Sequence, residues 1–257
     1  MKRIDFNCFS GNWPFHKVRY NTVEKIAQLH QRCGVEGGFI SACEAIFYQD
    51  PYEAEVSLAK ELEGTNYWHA MTVNPTLPAW KDDLHRALTQ LHIKAVRLVP
   101  GYHGYQLTDA VMDDVSRELR KCKLPLILTL RTEDDRTTWM LRPRPIPMEE
   151  VAAYLEKNPD IPTLIANIRV AQLAAIAPLF ETRANLFIDT SGFMSGLFPV
   201  EDAWPQAKGQ IVFGSSAPRA EMQSIQALID MSSIEDEKKD SIYSGNRFLE
   251  FIPADTK

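Results

Sequence analysis

Four arginines stand within or directly after short apolar segments, where charged side chains are uncommon. Arg97 lies inside such a segment, and Arg131 and Arg169 each follow one. Arg219 comes directly after residues 215–218, which have the composition of a turn. A buried charge must reach a partner or a ligand, because an unpaired one is strongly destabilising. Guanidinium groups bind carboxylates and phosphates through paired hydrogen bonds, so the pattern predicts a site for a small anionic molecule.

Two further residues are of a type that transfers protons. Asp189 ends an apolar segment, and His16 lies in the stretch that follows the first apolar segment. We treat both as candidate catalytic residues, because carboxylates and imidazoles are common general acids and bases. A different interpretation stays open, in which the arginines pair with Asp5, Asp189 or Glu44 and only balance charge inside the core.

The elements that would position these residues follow from hydrophobic patterning. Among the 257 residues, 45% are hydrophobic and 24% are charged, as in an ordinary globular protein. Eight short apolar segments recur, each followed by a longer stretch with helical periodicity, at 3–9, 38–43, 67–73, 93–99, 124–130, 163–168, 185–190 and 210–215. Most have apolar residues at both odd and even positions, as in parallel strands covered on both faces. We predict a single α/β domain over residues 1–257, a (β/α)8 TIM barrel with extra C-terminal helices.

Helix boundary signals fit this alternation. We expect the first helix to begin at Asn21 and to end before Gly34, and the second to lie between Pro51 and Gly64. A later helix is predicted from Thr108 to about residue 121. The connections after strands are longer than those after helices, and in such barrels binding sites lie at the end where strands meet the following loops.

Several segments resemble the amidohydrolase-related family of metal-dependent hydrolases (amidohydrolase family 2). They are IDFNCFSG at 4–11, KAVRLVP at 94–100, LPLILT at 124–129, NLFIDTSG at 185–192, FGSSAP at 213–218 and IYSGNR at 242–247. The resemblance covers nearly the whole chain. It implies a TIM barrel and a hydrolase activity that depends on a metal held at the ends of the strands.

The residues at the expected metal positions differ from the family pattern. Such proteins carry His-x-His on the first strand, a histidine on the fifth, another on the sixth, and an aspartate on the eighth. Matched by motif, these positions hold Asn7, Phe9, Thr129, Asn167 and Ser216. Because these side chains are poor zinc or iron ligands, we expect no metal there and no other cofactor.

An anion pocket is therefore predicted where the family holds its metal. Its expected lining is Asn7, Thr129, Arg131, Asn167, Arg169 and Ser216, with Arg97 and Arg219 near the rim. Two functions fit it: a hydrolase that acts without a metal on a small carboxylate-bearing substrate, and a non-catalytic protein for binding or assembly.

Relocated metal ligands are the other possibility considered for this region. Asp5, Cys8, His16 and His69 fit no familiar ligand spacing. Cys8 is out of phase with Asn7 and Phe9, so we expect a buried thiol that faces the helices.

The net charge of −6 and the absence of a basic run argue against nucleic acid or an anionic membrane as partner. Four scattered cysteines and an N-terminus without a signal-peptide pattern favour the cytoplasm. The segment 131–147 is long for a simple connection, and predicts either a lid over the barrel mouth or a contact in a homo-oligomer.

Overall fold

Eight parallel strands form one sheet in the order of the sequence. The computed structural model describes residues 2–133, 140–194 and 198–254. The strands are β1 (Ile4–Ser10), β2 (Gly37–Ala42), β3 (Tyr67–Thr72), β4 (Ala95–Leu98), β5 (Leu126–Thr129), β6 (Thr163–Ala166), β7 (Leu186–Asp189) and β8 (Ile211–Val212). Each predicted strand overlaps the observed one, which confirms the (β/α)8 architecture.

Backbone hydrogen bonds between the first and last strands bring the sheet round into a barrel. Phe6 N donates to Phe213 O at 2.8 Å, and Ser216 N donates to Asn7 O at 2.7 Å. These bonds place the ends of β1 and β8 side by side. Residues far apart in the chain therefore meet at one end of the barrel.

Helices lie between the strands and after β8. They are α1 (Val23–Arg32), α2 (Pro51–Leu62), α3 (Trp80–Gln90), α4 (Pro100–His103), α5 (Val111–Cys122), α6 (Met148–Lys157), α7 (Pro199–Gln206), α8 (Met222–Asp230), α9 (Asp236–Ser244) and α10 (Asn246–Leu249). Two short 3-10 helices, Val170–Ala175 and Ala177–Glu181, connect β6 to β7.

Two predicted helix starts are wrong by one to three residues. The N-cap of α1 is Thr22, whose hydroxyl accepts from Lys25 N at 3.3 Å, rather than Asn21. The helix expected from Thr108 begins at Val111, because the Asp109 carboxylate accepts from Gln106 N at 2.7 Å and caps a preceding turn. Local side-chain hydrogen bonds decide such boundaries.

Strand β1 contains an irregularity that changes which side chains face inward. Its register with β2 shifts between Asp5 and Cys8. Phe6 packs among side chains inside the barrel, and Asn7 also bonds across the barrel, so two consecutive residues face inward. Cys8 packs in the layer between strands and helices, as predicted. A bulge of this kind re-aims side chains and is frequent beside functional sites.

The end of the barrel opposite the strand C-termini is closed by α10. Phe248 is fully buried and packs edge-to-face against Phe6 and Phe187, with ring centroids 5.6 and 5.2 Å apart. None of the helices in the described parts of the chain is long and apolar enough to cross a membrane. Residues 134–139 of the predicted lid or subunit contact lie outside the described residues, and its role stays a prediction.

We predict that Phe248→Ala lowers the free energy of unfolding by about 3–5 kcal/mol, because it leaves a cavity beneath the barrel. Met231→Ala is the matched control, since Met231 is 85% exposed, and should change stability by no more than about 0.5 kcal/mol. Urea unfolding of both variants measures the difference. Equal stability of the two variants would show that α10 does not close the core.

Candidate functional site

The guanidinium of Arg97 lies fully buried at the centre of the barrel. Its Nε donates to Ser41 Oγ at 2.7 Å, and its Nη1 donates to Asn7 Oδ1 at 3.0 Å and to Thr129 Oγ1 at 2.7 Å. The predicted place near the rim is therefore wrong. Residue 97 falls within the four-residue strand β4 and points inward, so its side chain fills the interior rather than reaching the mouth.

Asn7 connects this cation to a buried carboxylate. Its Nδ2 lies 2.7 Å from Asp189 Oδ2, 2.9 Å from Asn167 Oδ1 and 3.1 Å from Ser191 Oγ. The residues that motif matching placed on the first, fifth and sixth strands thus meet in one hydrogen-bonded network. Ser191 belongs to it as well, and sequence reasoning did not single it out as a site residue.

Burial dominates the acidity of Asp189. The carboxyl is fully buried, and desolvation raises its pKa to about 6. Asn167 N, at 2.9 Å from Oδ1, and the Ser191 and Asn7 side chains oppose this shift by donating hydrogen bonds. The residue packed against this carboxylate must be a glycine, because a Cβ at Gly214 would lie 2.5 Å from Asp189 Oδ2. The result is an acid poised near neutral pH, as proton transfer requires.

Two residues of the predicted pocket have left-handed backbone conformations. Asn167 has φ 60° and Ser216 has φ 56°. Such values are uncommon for residues other than glycine, and strained backbone clusters at functional sites. Both residues follow strand ends at the mouth, which is where ligands bind in this architecture.

Arg219 packs on the same aromatic ring as Arg97; its predicted place at the rim stays a prediction. The guanidinium carbon of Arg219 is 4.1 Å from the centroid of Phe9 and 4.8 Å from that of Trp13, while the guanidinium carbon of Arg97 is 4.4 Å from Phe9. Arg219 also donates to the Thr132 carbonyl. Cation–π contacts of this kind stabilise a guanidinium without neutralising it.

Neither of these two guanidiniums has an internal carboxylate partner. Among the described residues, no carboxylate lies within ion-pair distance of Arg97 or Arg219, so the pairing hypothesis with Asp5, Asp189 or Glu44 is wrong for both. The carboxylate of Asp5 binds Ser215 instead, and that of Glu44 accepts from the backbone N of residue 12.

The electrostatics of the pair reflect burial and mutual repulsion. Burial, together with the positive charge of Arg219, lowers the pKa of Arg97 to about 9, although the charge of Asp189 opposes this shift. Burial also lowers the pKa of Arg219. Arg97 Nη2 and Arg219 Nε make no hydrogen bond within the described parts of the chain. Buried donors without acceptors are unfavourable, and an anionic oxygen would satisfy them.

Gln172 brings together the two arginines of the other side of the mouth. Arg131 donates from its guanidinium to Gln172 Oε1, which also accepts from Arg169 N at 3.0 Å. Sequence reasoning missed Gln172. The sequence feature that could have identified it is its position three residues after Arg169. At the start of a 3-10 helix, a side-chain amide at this position can accept a hydrogen bond from the backbone N–H of the residue before the helix.

The two candidate proton-transfer residues are not in direct contact. The Nδ1 of His16, whose side chain is 49% exposed, lies 3.4 Å from Glu133 Oε1. That carboxylate also accepts from Trp13 Nε1 at 2.6 Å. Asp189 is instead buried within the network of Asn7, so the geometry favours Asp189 alone as a proton-transfer group. His69, another histidine considered, lies 2.5 Å from the buried carboxylate of Glu55.

A cavity of about 280 Å³ opens beside the ends of β1 and β2. Its lining contains Glu44, Glu53 and Glu61, and none of the eight predicted anion-binding residues. Its acidic lining does not suit an anion. This cavity was not predicted from the sequence.

The residues that motif matching places at the metal positions do not fit a divalent metal. Asn7 Oδ1 and Thr129 Oγ1, the two oxygens that face the centre, both accept hydrogen bonds from Arg97. Phe9 offers no donor atom, and its ring packs under two guanidiniums. A cation in this place would lie beside the charge of Arg97, among ligands that zinc and manganese disfavour.

Comparisons with known proteins show the fold. No protein-family model and no curated protein matches the chain. Among solved structures, it is similar to a probable 2-pyrone-4,6-dicarboxylic acid hydrolase from Acinetobacter baumannii with citric acid bound, at 13% identity and a TM-score of 0.70, over 98% of this chain and 99% of that one.

Two further structures are similar over nearly their whole length. A dihydroxybenzoic acid decarboxylase from Polaromonas sp. JS666, with bound manganese and 2-nitroresorcinol, is 14% identical with a TM-score of 0.70, over 96% of this chain and 97% of that one. An amidohydrolase II is 14% identical with a TM-score of 0.68, over 97% of this chain and 100% of that one. These likenesses establish a TIM-barrel fold shared along almost the entire chain.

The raised pKa of Asp189 predicts a specific pH dependence of stability. The pKa rises from 3.8 to about 6 on folding, so between these values the folded state holds the proton more tightly. The contribution of Asp189 to stability is therefore present at low pH and is lost as pH rises through about 6, by roughly 3 kcal/mol. The test is to measure the free energy of unfolding of the native protein and of Asp189→Asn from below pH 3.8 to above pH 6. The native value minus the variant value should fall by roughly 3 kcal/mol as pH rises across this range. A constant difference would contradict the buried, protonated acid.

Proposed function

We propose that the barrel mouth binds a small carboxylate-bearing molecule. The observation that carries this proposal is the pair of guanidiniums on Phe9, those of Arg97 and Arg219. Neither forms an ion pair with a carboxylate of the described residues, and each has a nitrogen without a hydrogen bond there. A bound carboxylate would reduce the repulsion between them and accept from their unused donors.

A carboxylate is preferred over a phosphate for two reasons. The site already contains the buried acid Asp189, which a dianionic phosphate would repel more strongly than a single carboxylate. The similar structures also include a protein named for a dicarboxylic acid and solved with citric acid, and a decarboxylase named for an aromatic acid. The first ligands to test are therefore an aromatic acid, and a short dicarboxylate that places only one of its two carboxylates beside Arg97 and Arg219.

We further propose that the chain is a divergent relative of the amidohydrolase-related family that works without a metal at the barrel centre. The motif resemblance and the shared fold support the relationship. The guanidinium of Arg97 supports the loss of the metal, because it supplies a fixed cation where the family holds its metal ion.

Hydrolysis of the bound acid is a second candidate function. It is favoured by Asp189, whose pKa near 6 suits a general acid or base, and which Asn7 links to the cation Arg97. The alternative is a protein that binds the same ligand without chemistry. Turnover that disappears in Asp189→Asn while ligand binding persists would establish hydrolysis, whereas binding without turnover in either protein would favour the alternative.

Thermal unfolding in the presence of benzoate, succinate and citrate tests the binding proposal. A true ligand should raise the Tm with the logarithm of its concentration, and at a hundred times its Kd it should stabilise the fold by about 2.7 kcal/mol. Arg219→Met should weaken this effect by about tenfold or more in Kd, because methionine keeps the packing on Phe9 but loses the charged donors.

Arg117→Met is the matched control, since Arg117 is 66% exposed and pairs with Asp114 on the surface. It should leave the ligand-induced rise unchanged. Equal rises in all three proteins would mean that the ligand does not bind at the mouth, and a rise with phosphate alone would assign the site to a different anion.

A further inference from the structure

A second cluster of chemically reactive side chains lies outside the barrel, between β1 and α1. It consists of Asp5, Cys8 and His30, and all three residues are fully buried. The register shift in β1 creates the cluster, because it turns Asp5 and Cys8 to the same outer face, whereas Asn7 points inward. The anion site and its arginines are on the other face of the strand.

The spacing of the three side chains suits a metal ion. One potential ligand atom from each residue, a carboxylate oxygen, a thiol sulfur and an imidazole nitrogen, lies within 4.8 Å of the other two. His30 Nε2 is 3.3 Å from Asp5 Oδ2 and makes no hydrogen bond to any of the residues that the structure describes. With bonds of about 2.0–2.3 Å, the ligand atoms of a tetrahedral zinc ion lie about 3.3–3.8 Å apart.

Neighbouring groups hold the imidazole and the carboxylate in position. Tyr67 OH lies 3.0 Å from His30 Nδ1, which leaves Nε2 directed at Asp5. Ser215 N donates to Asp5 Oδ1 at 3.0 Å, and the Ser215 hydroxyl donates to Oδ2. Metal-binding histidines and carboxylates are characteristically oriented by such outer hydrogen bonds.

We propose that Asp5, Cys8 and His30 bind one zinc ion, which joins helix α1 to strand β1. Zinc accepts this mixture of oxygen, sulfur and nitrogen ligands. On binding, the Cys8 thiol releases its proton to solvent and forms a sulfur–zinc bond, while His30 Nε2 uses its lone pair. The two negative charges of the carboxylate and the thiolate offset the charge of the ion, so the buried cluster becomes neutral.

Zinc content of the whole chain, expressed with added zinc, tests this proposal. A second group, His85, Glu118 and Cys122, also has ligand spacing but is only half-buried. All measurements therefore use Cys122→Ser as the parent. We expect one zinc ion per chain in this parent, loss of that zinc when Cys8→Ser or His30→Gln is added, and retention when Cys43→Ser is added. Cys43 is the matched control, because it is also a fully buried free thiol.

X-ray absorption at the zinc edge keeps the proposal testable if the added variants fail to fold. The parent should show one sulfur neighbour and at least one imidazole. Substitution of cobalt should produce a thiolate-to-metal charge-transfer band, and removal of zinc by a chelator should lower the Tm.

Three results would overturn the assignment. They are a parent that holds no zinc, a zinc ion with only oxygen and nitrogen neighbours, and zinc that is retained in a folded Cys8→Ser variant. The first would leave Asp5 and His30 as a simple buried ion pair. None of these results bears on the arginines of the mouth, so ligand binding there stands or falls separately.

Discussion

The buried positive charge of Arg97 is the constraint on which the organisation of the barrel interior depends. A guanidinium at the centre of a parallel barrel requires polar partners on several strands, and Ser41, Asn7 and Thr129 supply them. All three are neutral, so they solvate the charge without cancelling it. The nearest acid in the network, Asp189, is linked to Arg97 only through Asn7. The proposed anion site depends on this arrangement, in which the guanidinium contacts neutral groups and the Asp189 carboxylate acts on it from a distance.

The bulge in β1 explains how one short strand serves two different clusters. With strict alternation, Asp5 and Asn7 would point to the same side. The register shift instead sends Asn7 and Phe9 towards the arginines, and Asp5 and Cys8 towards α1. One irregularity thus separates an anion-attracting interior from an acidic and thiol-bearing exterior face.

The sequence predicts the barrel well because strands covered on both faces are apolar at almost every position, a signal that needs no tertiary information. It also identifies most members of the site, since charged and amide residues stand out at strand ends. It does not predict that the Arg97 side chain is fully buried inside the barrel. The residues that accept hydrogen bonds from this guanidinium are neutral and lie on different strands, so no sequence motif connects them to Arg97. Gln172 and His30 were missed for a related reason: each lies on an element whose approach to the site depends on the packed structure.

The most direct test of an anion site at Arg97 and Arg219 is a crystal structure of the protein grown with succinate or citrate. The structure predicts a carboxylate group that accepts a hydrogen bond from Arg219 Nε, next to the Phe9 ring on which that guanidinium packs. The guanidinium of Arg97 should keep its bonds to Asn7 and Thr129. A side-chain carboxylate of the protein bound to Arg219, with no ligand at the mouth, would contradict the site.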